Sequence, residues 1–389
     1  MISNGTYEYA LKLRRQLHMY PEIGFDLDRT LALVRGELDA MGIPYTEKYG
    51  KSSIVATINP DCEGFSIGIR ADMDALPIQE DTGVEYASKI PGQMHACGHD
   101  AHTAMLLAVA KELKAIESTL RCKVKLVFTP AEEYIQPGCE LMVKDGVCDE
   151  FDCCIACHVV SNVPVGCVRF IPSGGKNANS MGITVEFFGT SSHGASSEKG
   201  KDAIAMAVQA YTAFDHMSSK EIAPRHMHRF HVGVFQGGFT NNVVADYCKL
   251  YCTSRTHSDE ITQFILDRTR QIAEGVAAMN GGTAKVTVSK FLPYVHHDPV
   301  MAAKFTETVN KHLGEGKILP RTRALGGEDF GFISRVKPSL QFDLGSGPHS
   351  EAHHPKFTID ETCMAVGVDL FTQFVLDHQD GIDFSEQGE

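Results

Sequence analysis

A chain of 389 residues is too long for one ordinary hydrophobic core and long enough for two domains. A hydrophobic fraction of 43% with 22% charged residues excludes a disordered or fibrous chain, and a formal net charge of -13 without any Lys/Arg block excludes nucleic acid as a partner. No apolar run reaches bilayer-spanning length and no secretory signal opens the chain, so a soluble, cytoplasmic protein with no membrane partner is predicted.

In chain order, residues 5–43 carry helical spacing of Leu11, Leu17, Leu31, Val34, Leu38 and Met41 around a break at Pro21. Short apolar runs then alternate with helical stretches at 53–58, 66–69, 101–116, 123–128 and 151–157, the rhythm of an α/β sheet. From about 181 to 293 six elements follow as strand, helix, strand, strand, helix, strand, at 182–188, 202–217, 227–235, 245–255, 259–279 and 284–291. That order is the split βαβ arrangement of ferredoxin-like units. Sheet-and-helix patterning resumes after Pro299. The predicted architecture is therefore a discontinuous α/β domain at 1–179 and 294–389 with a ferredoxin-like α+β unit inserted at 180–293.

Twelve cysteines are scattered through apolar runs such as Cys153-Cys154-Ile155-Ala156-Cys157 and read as reduced core thiols. Cys97 is different. It lies in His95-Ala96-Cys97-Gly98-His99-Asp100-Ala101-His102, directly before a helical pattern, where a thiolate and an imidazole two residues apart in a turn can share a cation. The bland reading of the same stretch is that Asp100 caps the helix and the histidines bond to carbonyls. After the run 123–128 come Glu132 and Glu133; on extended backbone they would project to opposite sides, giving one ligand and one base. His158 ends another apolar run, and Arg70, Asp72 and Asp74 end a third. Open α/β sheets place their sites at such strand ends. Further along, Gly326-Gly327-Glu328-Asp329-Phe330 forms an acidic turn, and either His353 or His354 is a further ligand candidate. Imidazoles, a thiolate and a carboxylate around divalent ions acidify bound water, and an unligated carboxylate beside it is the base that amide hydrolysis requires.

These motifs, with Arg14-Arg15-Gln16-Leu17-His18, Arg70-Ala71-Asp72-Met73-Asp74, Ser192-His193-Gly194-Ala195 and Asn242-Val243-Val244-Ala245-Asp246, occur in an order and spacing that resemble the M20 metallopeptidase family. Within it the resemblance is to the amidohydrolase branch of hippurate hydrolases, auxin-conjugate hydrolases and N-acetyldiaminopimelate deacetylases. It implies a metallopeptidase-type catalytic domain with an inserted lid, and two divalent metal ions per subunit on Cys97, His99, Glu133, His158 and His353, with Cys97 bridging. Manganese or zinc leads, with nickel or cobalt as alternatives. It further implies Glu132 as general acid/base acting on a metal-held water, Asp72 orienting a ligand histidine, and cleavage of an N-acyl amino acid. In the lid, the resemblance assigns His193 to the neighbouring subunit's oxyanion in a homodimer, and Asn242 and Arg255 to substrate binding. The sequence departs from the pattern after His193, where relatives often carry a proline and a histidine, and at Arg70, where other branches carry a histidine.

A dipeptidase is the nearest alternative. A non-catalytic binding protein would have no need of Glu132 beside Glu133, and a zinc nucleobase deaminase would need a paired-cysteine signature that does not follow.

Overall fold

The computed structural model describes residues 2–385. Contacts divide them into two compact units: the first holds the chain through Lys176, then Val295–Thr322 and the chain from Asp329 onward, and the second holds Asn177–Tyr294 with Arg323–Glu328. The short piece Arg323–Glu328 joins the second unit beside the segment that patterning marks, held where Ala178 N–H donates to Gly326 O (3.1 Å).

The first unit is built on an eight-stranded sheet in the order Tyr45–Thr46, Ile54–Ile58, Lys123–Thr129, Ser66–Asp72, Cys153–Val160, Ser339–Gly345, Val168–Arg169, Ile318–Leu319. The four long strands from Lys123–Thr129 to Ser339–Gly345 run parallel, with Asp72 opposite Thr129 and His158 opposite Asp343. A parallel sheet is covered on both faces, which is why these strands are continuous apolar runs and not alternating ones. One consequence governs the site: whatever follows each strand emerges at the same edge of the sheet.

Helices Asn4–Met19 and Asp28–Met41 flank the break at Pro21; Ser3 caps the first by accepting from Thr6 N–H, and Gly42 closes the second at φ 64°. Helix His99–Ala115 is buried at every position from His99 to Ala110, and from Ala104 to Ala110 it is apolar on all sides, as a central helix is. Pro299–His312 and Cys363–His378 complete the layers, and Phe305, Phe342, Phe371 and Phe374 interlock among them. All twelve cysteines are free thiols and all but Cys62 are buried. Among the described residues no helix is long and apolar enough to cross a membrane.

The second unit is an antiparallel sheet in the order Thr283–Leu292, Asn179–Phe188, Tyr247–Thr256, His228–Gly237, the strand order of a ferredoxin-like fold. Helices Ala203–His216 and Asp259–Met279, capped by Asp202 and Ser258, pack on one face through Phe187, Leu250, Phe214 and Ile265. Along Tyr247–Thr256, Cys248, Leu250 and Cys252 are buried while Tyr247 and Tyr251 are exposed, the period of two that a one-sided sheet imposes. The fold class predicted from patterning is the one observed.

Gly98 links packing to the site. It starts helix His99–Ala115 in the left-handed region at φ 86°, and a Cβ there would lie 2.3 Å from Val159 Cγ2. Gly98→Ala combines a disfavoured backbone with an overpacked core, and is expected to cost about 2–4 kcal/mol. Urea unfolding of the metal-free protein checks this; a loss below about 1 kcal/mol would show that the turn relaxes without resistance.

Candidate metal centre

The start of helix His99–Ala115, the turn after strand Lys123–Thr129, the last residues of strand Cys153–Val160 and one loop from the C-terminal part of the chain bring the candidate ligands together within the first unit. One donor atom from each of Cys97, His99 and His158 lies within 4.8 Å of the others, and the same holds for Cys97, Glu133 and His353 and for His99, Glu132 and Glu133. Cys97, His99 and Glu133 each belong to two of these groups, so the three groups join into one cluster. His354 points elsewhere: it is exposed, and its Nδ1 accepts from Lys356 N–H (3.0 Å).

The hydrogen bonds fix which ring nitrogens face the cluster. His99 Nδ1 donates to the backbone O of Asp74 (2.9 Å) and His158 Nδ1 donates to Val159 O (2.8 Å). Both rings therefore turn Nε2 inward, the arrangement in which outer partners set the orientation of a ligating histidine. His158 Nε2 lies 3.4 Å from Cys97 Sγ, and His99 Nε2 is buried with no hydrogen-bond partner. His353 Nε2 meets Glu133 Oε1 at 2.8 Å, on a residue whose φ of 68° is unusual outside glycine.

The electrostatics point the same way. Burial pushes the Cys97 thiol well above its ordinary value and the Glu133 carboxylate adds to the shift, so this cysteine is no nucleophile without a cation beside it. Burial opposes the charge on Glu133 too, yet the hydrogen bond from His353 and the nearby His99 hold its carboxyl below the usual range. A buried orphan nitrogen, a second inward imidazole, a thiol and carboxylates form the donor set of a borderline divalent ion, and the residues present fit two such ions.

Glu132 and Glu133 do not sit on extended backbone. Ala131 adopts φ 57°, and the turn that follows carries both carboxylates into the cluster. Asp74 accepts from Glu132 N–H at Oδ1 (3.0 Å) and from Glu133 N–H at Oδ2 (3.1 Å), and Asp329 N–H donates to Glu132 Oε1 (3.3 Å). Asp329 in turn accepts from Arg70, which also donates to Asp72 Oδ2 (2.6 Å) and Thr129 Oγ1 (2.9 Å). Arg70 thus braces the outer side of the site.

Asp72 takes its shortest histidine contact from His102 (Oδ1 to Nδ1, 2.6 Å), while its Oδ2 lies 3.8 Å from His99 Nε2. His102 Nε2 accepts from Val159 N–H (3.0 Å), which fixes the backbone beside His158. Asp100 does not cap its helix; it accepts from Arg14 Nε (3.0 Å) and His18 Nδ1 (2.8 Å). Sequence reasoning saw Asp74 and His102 as residue types without roles. The only signal for them was their proximity to the ligand motifs, because each acts on a main-chain amide that no side-chain pattern reports.

In the second unit, His193 is exposed and its Nδ1 accepts from Ala195 N–H (3.0 Å), leaving Nε2 as the donor of a neutral ring. Asn242 is beside it, with Gly194 N–H on its backbone O (2.7 Å). Arg255 is apart from both. It lies at the far end of strand Tyr247–Thr256, half-buried, with Nη1 donating to Ser254 O (3.0 Å) and Thr253 Oγ1 (2.5 Å). Burial alone lowers its affinity for the proton.

Residues 68–377 match Peptidase family M20/M25/M40. The chain is 34% identical over 353 residues to the N-acetyl-L-cysteine deacetylase of Bacillus subtilis, covering 90% of this chain and 84% of that one. It is 29% identical over 377 residues to the hippurate hydrolase of Campylobacter jejuni, covering 96% of each. Among solved structures it resembles the Bacillus subtilis YXEP protein, described as a dinuclear metal binding peptidase from the M20 family, with a TM-score of 0.83, 28% identity, and 96% and 98% of the two chains covered. With a match spanning most of its length and relatives that are named hydrolases, the chain is a hydrolase that belongs to the M20/M25/M40 peptidase family.

Proposed function

We propose that this protein hydrolyses the amide bond of N-acyl amino acids at a two-metal centre, with Glu132 as the acid/base. The observation that carries the reading is the division of labour in the Glu132-Glu133 pair: both approach His99, but Glu133 also meets Cys97 and His353, whereas Glu132 receives Asp329 N–H. Two divalent cations, manganese or zinc first and nickel or cobalt as alternatives, would be held by Cys97, His99, Glu133, His158 and His353 and would supply the charge that polarises an amide carbonyl and acidifies water. Glu132, 8% exposed, is placed to take a proton from water and return it to the leaving nitrogen. The thiols of strand Cys153–Val160, unlike its His158, take no part; burial pushes Cys153, Cys154 and Cys157 well up, and they serve packing.

Arg255 supplies the fork that suits a free carboxylate on the substrate. His193, as a neutral donor, and its neighbour Asn242 suit the oxyanion. Arg255 is eight residues along one strand from Tyr247, next to which the His193 and Asn242 segments lie, a span of roughly 27 Å at the usual strand rise. One small substrate does not bridge that distance, so Arg255 and the His193–Asn242 pair would serve one molecule when they come from different copies. A homodimer through the inserted unit follows. Its edge strand His228–Gly237 exposes Val234 and Phe235, and Phe239 beyond it is 78% exposed.

Glu132→Gln is expected to keep its metal and lose at least about a hundredfold in kcat, the lower range for a general base, whereas Cys97→Ser is expected to lose metal affinity itself. Metal analysis beside hydrolysis of acetyl-, benzoyl- and dipeptide amides measures both; full activity in Glu132→Gln removes the proposed base, and turnover of dipeptides alone replaces the substrate class. Separately, mixing inactive His193→Ala with inactive Glu132→Gln protein is expected to restore up to about a quarter of the sites after random subunit exchange into symmetric dimers. No recovery despite demonstrated exchange would show that His193 does not act across subunits.

A further inference from the structure

We propose that Asp74 is the positioning residue of the Glu132-Glu133 turn: its single buried carboxylate holds both main-chain amides and thereby sets where the base and the Glu133 ligand stand relative to His99. Asp74 is 1% exposed. Oδ1 receives Glu132 N–H at 3.0 Å, Oδ2 receives Glu133 N–H at 3.1 Å, and its own carbonyl receives His99 Nδ1 at 2.9 Å. One residue thus ties the turn after strand Lys123–Thr129 to the first turn of helix His99–Ala115. The turn needs such a tie, because Ala131 at φ 57° occupies a region that L-residues disfavour and Tyr134 N–H reaches Ala131 O only at 3.4 Å. Gly138 allows the close approach on the other side, where a Cβ would fall 2.0 Å from Pro130 O.

The chemistry requires a carboxylate and not merely a buried polar group. Two parallel N–H groups need two acceptor oxygens, and a charged acceptor makes both bonds strong. In Asp74→Asn the amide NH2 faces one of the two N–H groups, donor against donor, and one arm of the clamp is lost. The turn is then free to swing, and Glu133 no longer presents its oxygen to Cys97 and His353 at a fixed position. Outer partners of this kind are worth roughly 10–100-fold in metal affinity or activity. The geometric half of the proposal stands by itself; the metal half rests on the two-metal reading above.

Two measurements test it on the whole protein. Hydrogen–deuterium exchange of chelator-treated protein reads the clamp directly: Asp74→Asn is expected to speed exchange of the Glu132 and Glu133 amides by about tenfold or more while peptides of helix Asp259–Met279 are unchanged, in line with a local opening. Chelator competition with Mn and Zn reads its consequence: Asp74→Asn is expected to weaken binding roughly 10–100-fold in the wild-type background, and by less than about threefold on top of Glu133→Gln, because both changes act through one ligand. Unchanged exchange overturns the clamp, and an equal loss of affinity in both backgrounds overturns its action through Glu133. If Asp74→Asn does not fold, Asp74→Glu, which displaces the carboxylate by one methylene, is read the same way, and unchanged exchange again overturns the proposal. If the wild-type protein binds neither metal, the two-metal reading falls, and the exchange result alone supports or overturns the clamp.

Discussion

The centre depends on a set of ligand-type groups that the fold aims at one another. Cys97, His99, His158 and Glu133 are brought within a few ångströms of one another, and both histidines donate from Nδ1 to backbone carbonyls, so two Nε2 atoms face a buried thiol and a carboxylate. Without a cation these groups meet only by sharing protons, with burial holding the proton on the Cys97 thiol 3.4 Å from His158 Nε2; a divalent cation would displace such protons. The fold enforces this arrangement, since a rotation of either ring would break a well-formed bond to Asp74 O or Val159 O.

What enforces it is mostly backbone. Gly98, Ala131 and His353 all lie at positive φ, and each stands at or next to a residue of the cluster. For alanine and histidine this conformation costs about 1–2 kcal/mol each and persists only where the surroundings over-determine it. Here the surroundings are a parallel sheet whose strands end at one edge, a central helix packed on every side, and polar residues that bind main-chain amides beside the ligands: Asp74 for Glu132 and Glu133, His102 for Val159. Arg70 and Asp329 close the outer side. The order of construction is thus sheet edge, strained turn, amide clamp, inward donor.

Much of this was legible in the sequence, for identifiable reasons. The strands of the first unit are apolar runs because both faces are covered, and the inserted unit keeps its six elements in one uninterrupted stretch of chain, so apolar runs and element order together indicated the layers. The cluster from His95 to His102 was legible because five candidate ligand residues rarely fall so close together. Three features escaped. Spacing left His353 and His354 equivalent, and only the family resemblance chose His353; in the fold of the loop His354 is turned to Lys356 N–H. The Glu132-Glu133 pair was read on extended backbone, whereas a positive φ at Ala131, invisible in a residue that is not glycine, turns it. Asp100 looked like a helix cap and is instead drawn to Arg14 and His18 from the first helix, a long-range pairing that local pattern does not carry.

Anomalous X-ray scattering from crystals of the protein loaded with manganese or zinc tests the central claim most directly. The account predicts two peaks per chain, one on each side of Cys97 Sγ, with His99, Glu133, His158 and His353 completing their shells and Glu132 outside both. Anomalous peaks located away from Cys97, or an ion bound directly by Glu132 in place of Glu133, would contradict it.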